Sequence, residues 1–371
     1  MSSPIPNTTT TVPAVPFALT RVGTLMRPSG DPLEVDGVLN PATVCDITMP
    51  VLDGYGVLHL LPRLVAAGNV SRIGRARVLV EGGVPVDVVR EGIVLSPDRG
   101  WEHGTHHGGV EDPRNTWIPA IGLNVMTYVA FGPLGPHPAL AVSADGLSWT
   151  RLGPLLFGYE DDLDTDLNLF PNKDVVFLPE PVRGPDGRPS LAVLHRPMWD
   201  LTFVRPDDAP PLPAGVEDAR PTIWISYVAV EDVQRDLRAL TRVFGHRQVT
   251  TPAFPWEESK IGAGPAPIRV EEGWLLIHHG VTGAIEGSAF TPQQSVRYEA
   301  GAMILDADDP SRVIARTPAP LLSPETGEET EGTVSNVVFP TAIERIEGQE
   351  YVFYGMADSA IGVARLDRVQ A

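Results

Sequence analysis

Four short stretches of this chain set charge beside proline, glycine or an aromatic ring, in otherwise apolar surroundings. Gly109-Val110-Glu111-Asp112-Pro113-Arg114 places two adjacent acids before a rigid proline and an arginine, a carboxylate–guanidinium grouping. Adjacent residues of a strand point to opposite faces, so only one of Glu111 and Asp112 is expected to face a given pocket. Asn172-Lys173-Asp174 is followed by Leu194-His195-Arg196-Pro197. Trp256-Glu257-Glu258-Ser259-Lys260-Ile261-Gly262-Ala263-Gly264-Pro265 and Gly355-Met356-Ala357-Asp358 complete the set. Of 28 basic residues only Lys173 and Lys260 are lysines, and both fall inside these stretches. An ammonium is a compact point charge that fits a crowded pocket where a planar guanidinium does not.

Other groupings carry less. His103, His106 and His107 sit in a Gly-rich loop without further obvious ligands, so no metal is expected there. The acidic runs 160–166 and 325–331 read as solvated loops; the first lacks the glycine and closing glutamate of a calcium loop. There is no Walker-type phosphate loop, no GxSxG elbow and no HExxH. The net charge of −19 argues against nucleic acid and against an anionic membrane surface. Cys45 is the sole cysteine, which excludes an internal disulfide, and it reads as a small core residue. No apolar run reaches the roughly 18 residues a membrane span needs, and the N-terminus lacks a signal peptide's charged and apolar regions. A cytoplasmic protein is the expectation.

The elements that must position these residues are strands. Asn124–Phe131, Leu191–Leu194, Ile223–Val228, Trp274–His279 and Tyr351–Tyr354 are short, β-branched or aromatic runs bounded by turn residues. Asp53-Gly54, Asp145-Gly146, Asp186-Gly187, Glu272-Gly273 and Glu347-Gly348 suit tight hairpins. No strand–helix alternation appears, so an all-β sandwich, barrel or propeller is expected. One helix is expected over 230–244, with Gly245 as its C-terminal cap. Gly215-Val216-Glu217-Asp218-Ala219-Arg220 echoes the 109–114 stretch and suggests a repeat. Residues 205–221 are Pro-rich and read as an inserted loop.

The ordered set of motifs resembles glycoside hydrolase family 130, the β-mannoside phosphorylases and related β-mannosidases. The resemblance runs from about Val38 to Ala364, through Val38–Ala42, Ile73–Ala76, Gly109–Arg114, Asn172–Asp174, Leu194–Pro197, Trp256–Val281, Tyr298–Asp306 and Asn336–Asp358. It implies a five-bladed β-propeller, with residues 1–20 a flexible tail and 21–371 one catalytic domain. It implies inverting phosphorolysis of a β-mannoside, manno-oligosaccharide or mannosyl-glucose in type, to α-mannose 1-phosphate. Asp112 would be the acid, passing its proton through a sugar hydroxyl, and Glu111 would be structural. Lys260, His195, Lys173 and Arg196 would bind phosphate. Asn40, Arg75, Arg114, Asp174, Tyr298, His279 and Asp358 would bind the sugar, with inter-blade packing an equal reading for Tyr298 and His279. Inorganic phosphate would be co-substrate and no cofactor is expected; self-association stays open. Two departures stand out: the residues before the Lys-Asp pair are Phe170-Pro171-Asn172 where some phosphorylases carry arginine, and the 200–221 loop is long. Hydrolysis is the alternative, with Glu217, Asp218 or Glu258 as base, and a non-catalytic sugar-binding propeller is the third reading.

Overall fold

Strands with alternating burial account for most of the chain. The computed structural model describes residues 14–46, 56–104, 108–199, 212–283 and 295–369. Strand β1 (Phe17–Met26) comes first in sequence but pairs with the last strand. A first antiparallel set follows: β2 (Gly37–Asp46), β3 (Val57–Ala66), β4 (Val70–Glu81) and β5 (Val84–Leu95). The second set is β6 (Gly108–Ile118), β7 (Leu123–Gly132), β8 (Gly135–Ser143) and β9 (Thr150–Pro154). These two sets touch through a two-residue parallel contact, Val70–Gly108 and Ser71–Gly109, and so form one eight-stranded sheet.

The third set begins beyond β10 (Leu156–Phe157) with β11 (Asn172–Phe177). It continues through β12 (Val182–Arg183), β13 (Pro189–Pro197), β14 (Ile223–Ala229) and, after helix α1 (Val230–Arg235), β15 (Arg242–Thr250). The fourth set is β16 (Lys260–Ala263), β17 (Ile268–Val270), β18 (Gly273–Thr282), β19 (Arg297–Leu305) and β20 (Val313–Arg316). Helix α2 (Gly327–Thr330) leads into the fifth set: β21 (Val338–Ile346), β22 (Gln349–Met356) and β23 (Ala360–Arg368), completed by β1. The fold is all-β with few helical residues. Among the described residues no helix is long and apolar enough to cross a membrane.

The core is divided rather than single. Five apolar clusters form among the described residues, and each lies between two consecutive sets. Val44, Ile73, Val110 and Met126 join sets one and two. Val125, Phe177, Val193 and Trp224 join two and three, while Leu194, Ile225, Trp274 and Leu276 join three and four. Leu275, Ile304, Val352 and Tyr354 join four and five, and Leu60, Val78, Phe353 and Ile361 join five to one. Each such buried side chain contributes about 1.5–3 kcal/mol over leaving it exposed.

A recurring hook secures the connectors. Glu102, Glu257 and Glu329 are fully buried, and each ends a Ser/Thr-Pro segment: Ser96-Pro97, Thr251-Pro252 and Ser323-Pro324. Each carboxylate accepts the backbone N–H groups four and three residues before it. Each also pairs with an arginine of the outermost strand of the next set: Arg151 at 2.7 Å, Arg316 at 2.7 Å and Arg21 at 2.9 Å. The same arginines cap the carbonyls of Ser96, Thr251 and Ser323. Glu34 with Arg90 at 3.0 Å and the Arg27 carbonyl repeats the device at the entry to the first set. The entry to the third set departs from it, with Glu160 3.7 Å from His246 of β15.

Three expectations need correction. The helix over 230–244 ends at Arg235, because Asp236 is extended (φ −146°) and its side chain caps a separate 3-10 turn, Leu237–Thr241. Val243 and Phe244 already alternate as strand, and Gly245 (φ +70°) lies in a bulge of β15 instead of capping a helix. The tail expected over 1–20 is shorter, since Phe17–Thr20 pair with β23. The 215–220 echo is no structural repeat: it lies in irregular chain, where Arg220 closes on Asp218 at 2.6 Å.

Candidate active site

The innermost strands of sets one, two and three share one irregularity. β2, β6 and β11 each lose register at a bulge, and there Asn40 (φ +44°), Asp112 (φ +47°) and Asp174 (φ +56°) adopt the left-handed region. Asn and Asp tolerate that region better than other side-chain-bearing residues. Such strained positions cost about 1–3 kcal/mol each and persist where the surroundings hold them. Asp358, after β22, also has positive φ (+51°). All four are candidates named from the sequence.

The bulge at 112 corrects the expectation that Glu111 and Asp112 face opposite ways. Both carboxylates reach Arg63 of β3, Asp112 Oδ1 at 3.0 Å and Glu111 Oε1 at 2.9 Å. The Asn40 amide donates to the same Asp112 oxygen at 2.8 Å. Burial alone would push the Asp112 carboxyl up; Arg63, Lys173, the Asn40 bond and Arg114 outweigh it and hold it below the usual carboxylate range. Asp358 moves the other way. Burial, reinforced by Asp112 and Glu111 against the pull of Arg63 and Lys173, pushes it up to about 6.

Asp174 is the second centre. Burial opposes its ionisation, but Arg196, His279 and Arg114 hold it far below the usual range. Arg114 donates at 2.9 Å to Asp174 Oδ1, and Arg196 Nε donates to Oδ2. Gly262 permits this approach, because a Cβ there would lie 2.2 Å from Asp174 Oδ2. Gly355 does the same for Asn40, whose Oδ1 would be 2.0 Å from an added Cβ.

Three cations meet beside Asp174. Lys173 of β11 and Arg196 of β13 are register partners, and Lys260 opens β16. Lys173 Nζ is 3.7 Å from Glu111 Oε2, linking the two centres. Lys260 Nζ lies over the Tyr298 ring, 5.3 Å from its centroid. Burial, helped by the like charges of Arg196 and Lys173 and partly offset by Asp174, brings Lys260 down to about 7. Arg196 Nη1 and Asn40 Oδ1 are buried without a hydrogen-bond partner, a donor in one centre and an acceptor in the other. A buried polar atom left unpaired is costly, and these two lie at the two centres.

A family model described as beta-1,4-mannooligosaccharide phosphorylase matches residues 72–370. A beta-1,2-mannobiose phosphorylase of Thermoanaerobacter sp. (strain X514) is 31% identical over 304 residues, 81% of this chain and 78% of that protein. The chain belongs to glycoside hydrolase family 130. A 1,2-beta-oligomannan phosphorylase of the same organism is 29% identical over 92% of this chain and 94% of that protein. In fold, the family 130 chain resembles the beta-1,2-mannobiose phosphorylase of Listeria innocua in complex with beta-1,2-mannobiose. There the TM-score is 0.65 at 21% identity, over 95% of this chain and 96% of that one.

Most of the family motifs converge on the two centres, and two candidates, His195 and Arg75, are corrected. His195 does not face the cations. It neighbours Arg196 on β13 and so points to the opposite side of the sheet, fully buried, with Asn172 at 3.0 Å and Ser226 at 2.9 Å on its two ring nitrogens. Burial and nearby His246 hold its pKa well below the ordinary value. Arg75 lies two strands outward from Asn40, on β4, donating to Glu91 at 3.1 Å, apart from both centres. Arg114 is 1% exposed and its guanidinium is taken by Asp174 and the carbonyls of Gly264 (2.9 Å) and Ala263 (3.1 Å). Its Nε and Nη2 therefore support Asp174 and the 263–264 carbonyls. His279 is fully buried, 4.5 Å from the Phe339 ring and 3.5 Å from Asp174 Oδ2, so it packs within the second centre. Tyr298 is half-buried beneath Lys260.

Arg63 went unnamed in the sequence, though a lone charge within Leu58–Val65 was its signal. Of the bases considered for hydrolysis, Glu217 and Glu258 are exposed and Asp218 is paired with Arg220. His103 bridges to Gly108, while His106 and His107 lie outside the described residues, as do residues 200–211 of the Pro-rich loop.

Proposed function

We propose that the chain is a five-bladed β-propeller, residues 14–369 forming one domain, that phosphorolyses a β-mannoside with inversion. Five successive sets of four to six strands, with an apolar cluster at every junction including five to one, support the propeller. The relatives' names and the cation group support the reaction. The observation that carries it is the cluster Lys173–Arg196–Lys260, with Arg196 Nη1 unpartnered, beside the Arg63-clamped Asp112. A dianion needs such a cationic pocket, and the leaving oxygen needs an acid. Phosphate is itself a nucleophile, so no base is required to activate water, unlike inverting hydrolysis.

In this reading a phosphate oxygen attacks the anomeric carbon, the C1–O bond to the acceptor breaks, and a proton delivered from Asp112 through a sugar hydroxyl reaches the leaving oxygen. The products are α-mannose 1-phosphate and the shortened acceptor. Asn40 Oδ1 accepts from a mannose hydroxyl and Asp358 grips another. Free Asp112 is ionised by Arg63 and Lys173. A bound phosphate dianion offsets the Lys173 charge and raises the Asp112 pKa toward that of a working acid. A cytoplasmic location belongs to the same proposal, because the phosphorylated sugar is retained by the cell. Incubation with β-1,2-mannobiose, with and without phosphate, tests the reaction. Sugar phosphate forming only with phosphate present is expected, and equal release of free mannose without phosphate overturns it.

A further inference from the structure

Set three departs from the other sets where its outermost strand meets the connector: His246 stands where arginines 90, 151, 316 and 21 stand elsewhere. His246 is also one end of a side-chain chain that crosses the whole set. The Arg196 backbone N–H donates to Asn172 Oδ1 at 3.1 Å. The Asn172 amide then meets His195 Nδ1 at 3.0 Å, and His195 Nε2 meets Ser226 Oγ at 2.9 Å. Ser226 Oγ meets His246 Nδ1 at 2.7 Å, and His246 Nε2 meets the Gly158 carbonyl at 2.8 Å. All four side chains are at most 5% exposed, and the Phe157 ring covers both imidazoles, 4.5 Å from one and 5.7 Å from the other.

The two ends of this chain are backbone groups whose roles cannot change. An N–H only donates, so Asn172 must present its oxygen to Arg196 and its amide to His195 Nδ1. A carbonyl only accepts, so His246 must carry its proton on Nε2. Every bond between is then fixed: both imidazoles are neutral Nε2–H tautomers and the Ser226 hydroxyl donates toward His246. If His195 carried its proton on Nδ1, that N–H would oppose the Asn172 amide. Asn172 would turn over and confront the Arg196 N–H with a second donor.

We infer that Ser226, His195 and His246 are positioning residues that, by selecting one tautomer, hold Asn172 and hence Arg196 in the geometry that binds the phosphate co-substrate. This rests on the phosphorylase reading above. The unpaired Arg196 Nη1 is the group so aimed. Ser226→Ala removes the central hydroxyl at nearly constant volume and frees both imidazole tautomers.

Titration with inorganic phosphate, calorimetrically and without sugar, tests the inference. Ser226→Ala and His246→Phe are expected to raise the phosphate Kd about tenfold, the loss of one anchor of ordinary strength. In turnover, the KM for phosphate rises by the same factor while the KM for β-1,2-mannobiose stays within about twofold. Ser226→Thr, which keeps the hydroxyl, restores wild-type phosphate affinity. Wild-type affinity in Ser226→Ala, or equal losses for phosphate and mannobiose, overturns the relay while leaving the phosphorylase reading intact. Absence of phosphate binding by the wild-type protein overturns that reading, and the relay's role with it.

Discussion

Lys260 gives the sharpest prediction, because its environment places its titration near neutrality. Burial and the charges of Arg196 and Lys173 bring it from the ordinary 10.5 to about 7. An anion binds the ammonium form, so the free protein loses binding-competent Lys260 as pH rises through 7. Sulfate is the better probe, since it stays a dianion across the whole range whereas phosphate titrates near neutrality. If only the charged lysine binds, apparent sulfate affinity weakens about tenfold between pH 6 and 8 and about tenfold again by pH 9. Each tenfold step corresponds to about 1.4 kcal/mol. The assay is competitive inhibition of phosphorolysis by sulfate across that range, supported by calorimetry without substrate. Lys260→Met is expected to bind sulfate more weakly at pH 6 and with a nearly flat pH dependence. A flat wild-type profile, or an unchanged slope in Lys260→Met, would refute the placement of Lys260 in the anion pocket.

Three further outcomes follow from other contacts. Arg63→Met leaves Glu111 and Asp112 without their shared guanidinium and is expected to cost about 3–5 kcal/mol in denaturant unfolding, as for a broken buried pair. It should also shift the alkaline limb of the activity profile to higher pH, since Asp112 loses the charge that holds it low and keeps its proton further up the range. Asp112→Asn should lower turnover about 10²–10⁴-fold while sulfate still binds, because the amide cannot supply a proton. Glu102→Ala removes one connector hook and should destabilise by about 3–5 kcal/mol, measured by denaturant unfolding, with KM for phosphate and sugar unchanged.

Much of the site was legible because chemistry and covalent stiffness coincide in it. Asn40-Pro41 and Asp112-Pro113 sit at the bulges, and the two lysines sit beside Asp174. What spacing could not convey was direction. His195 and Arg196 are neighbours in one strand, so one faces the cations and the other the interior of its sheet, and no count of residues says which. The opposite error occurred at Glu111 and Asp112, where a positive φ cancels the alternation and turns both acids onto Arg63. Arg75 lies on a family motif yet belongs to an outer strand. The helical spacing of 230–244 continued past Asp236 because Leu237 and Leu240 fall in the 3-10 turn and Val243 and Phe244 resume as strand at compatible positions. The Ser/Thr-Pro hooks at 96, 251 and 323 were readable in principle. Their uneven spacing hid them, and the echo at 109 and 215 drew attention to a coincidence.

The central claim is that phosphate, held by Lys173, Arg196 and Lys260, displaces the acceptor from a β-mannoside with inversion. The most direct measurement is nuclear magnetic resonance of a reaction of the protein with β-1,2-mannobiose and inorganic phosphate. The account predicts a single new sugar phosphate, α-configured at the anomeric carbon, formed in equal amount with free mannose. Two molecules of free mannose per disaccharide with the phosphate resonance unchanged would contradict it.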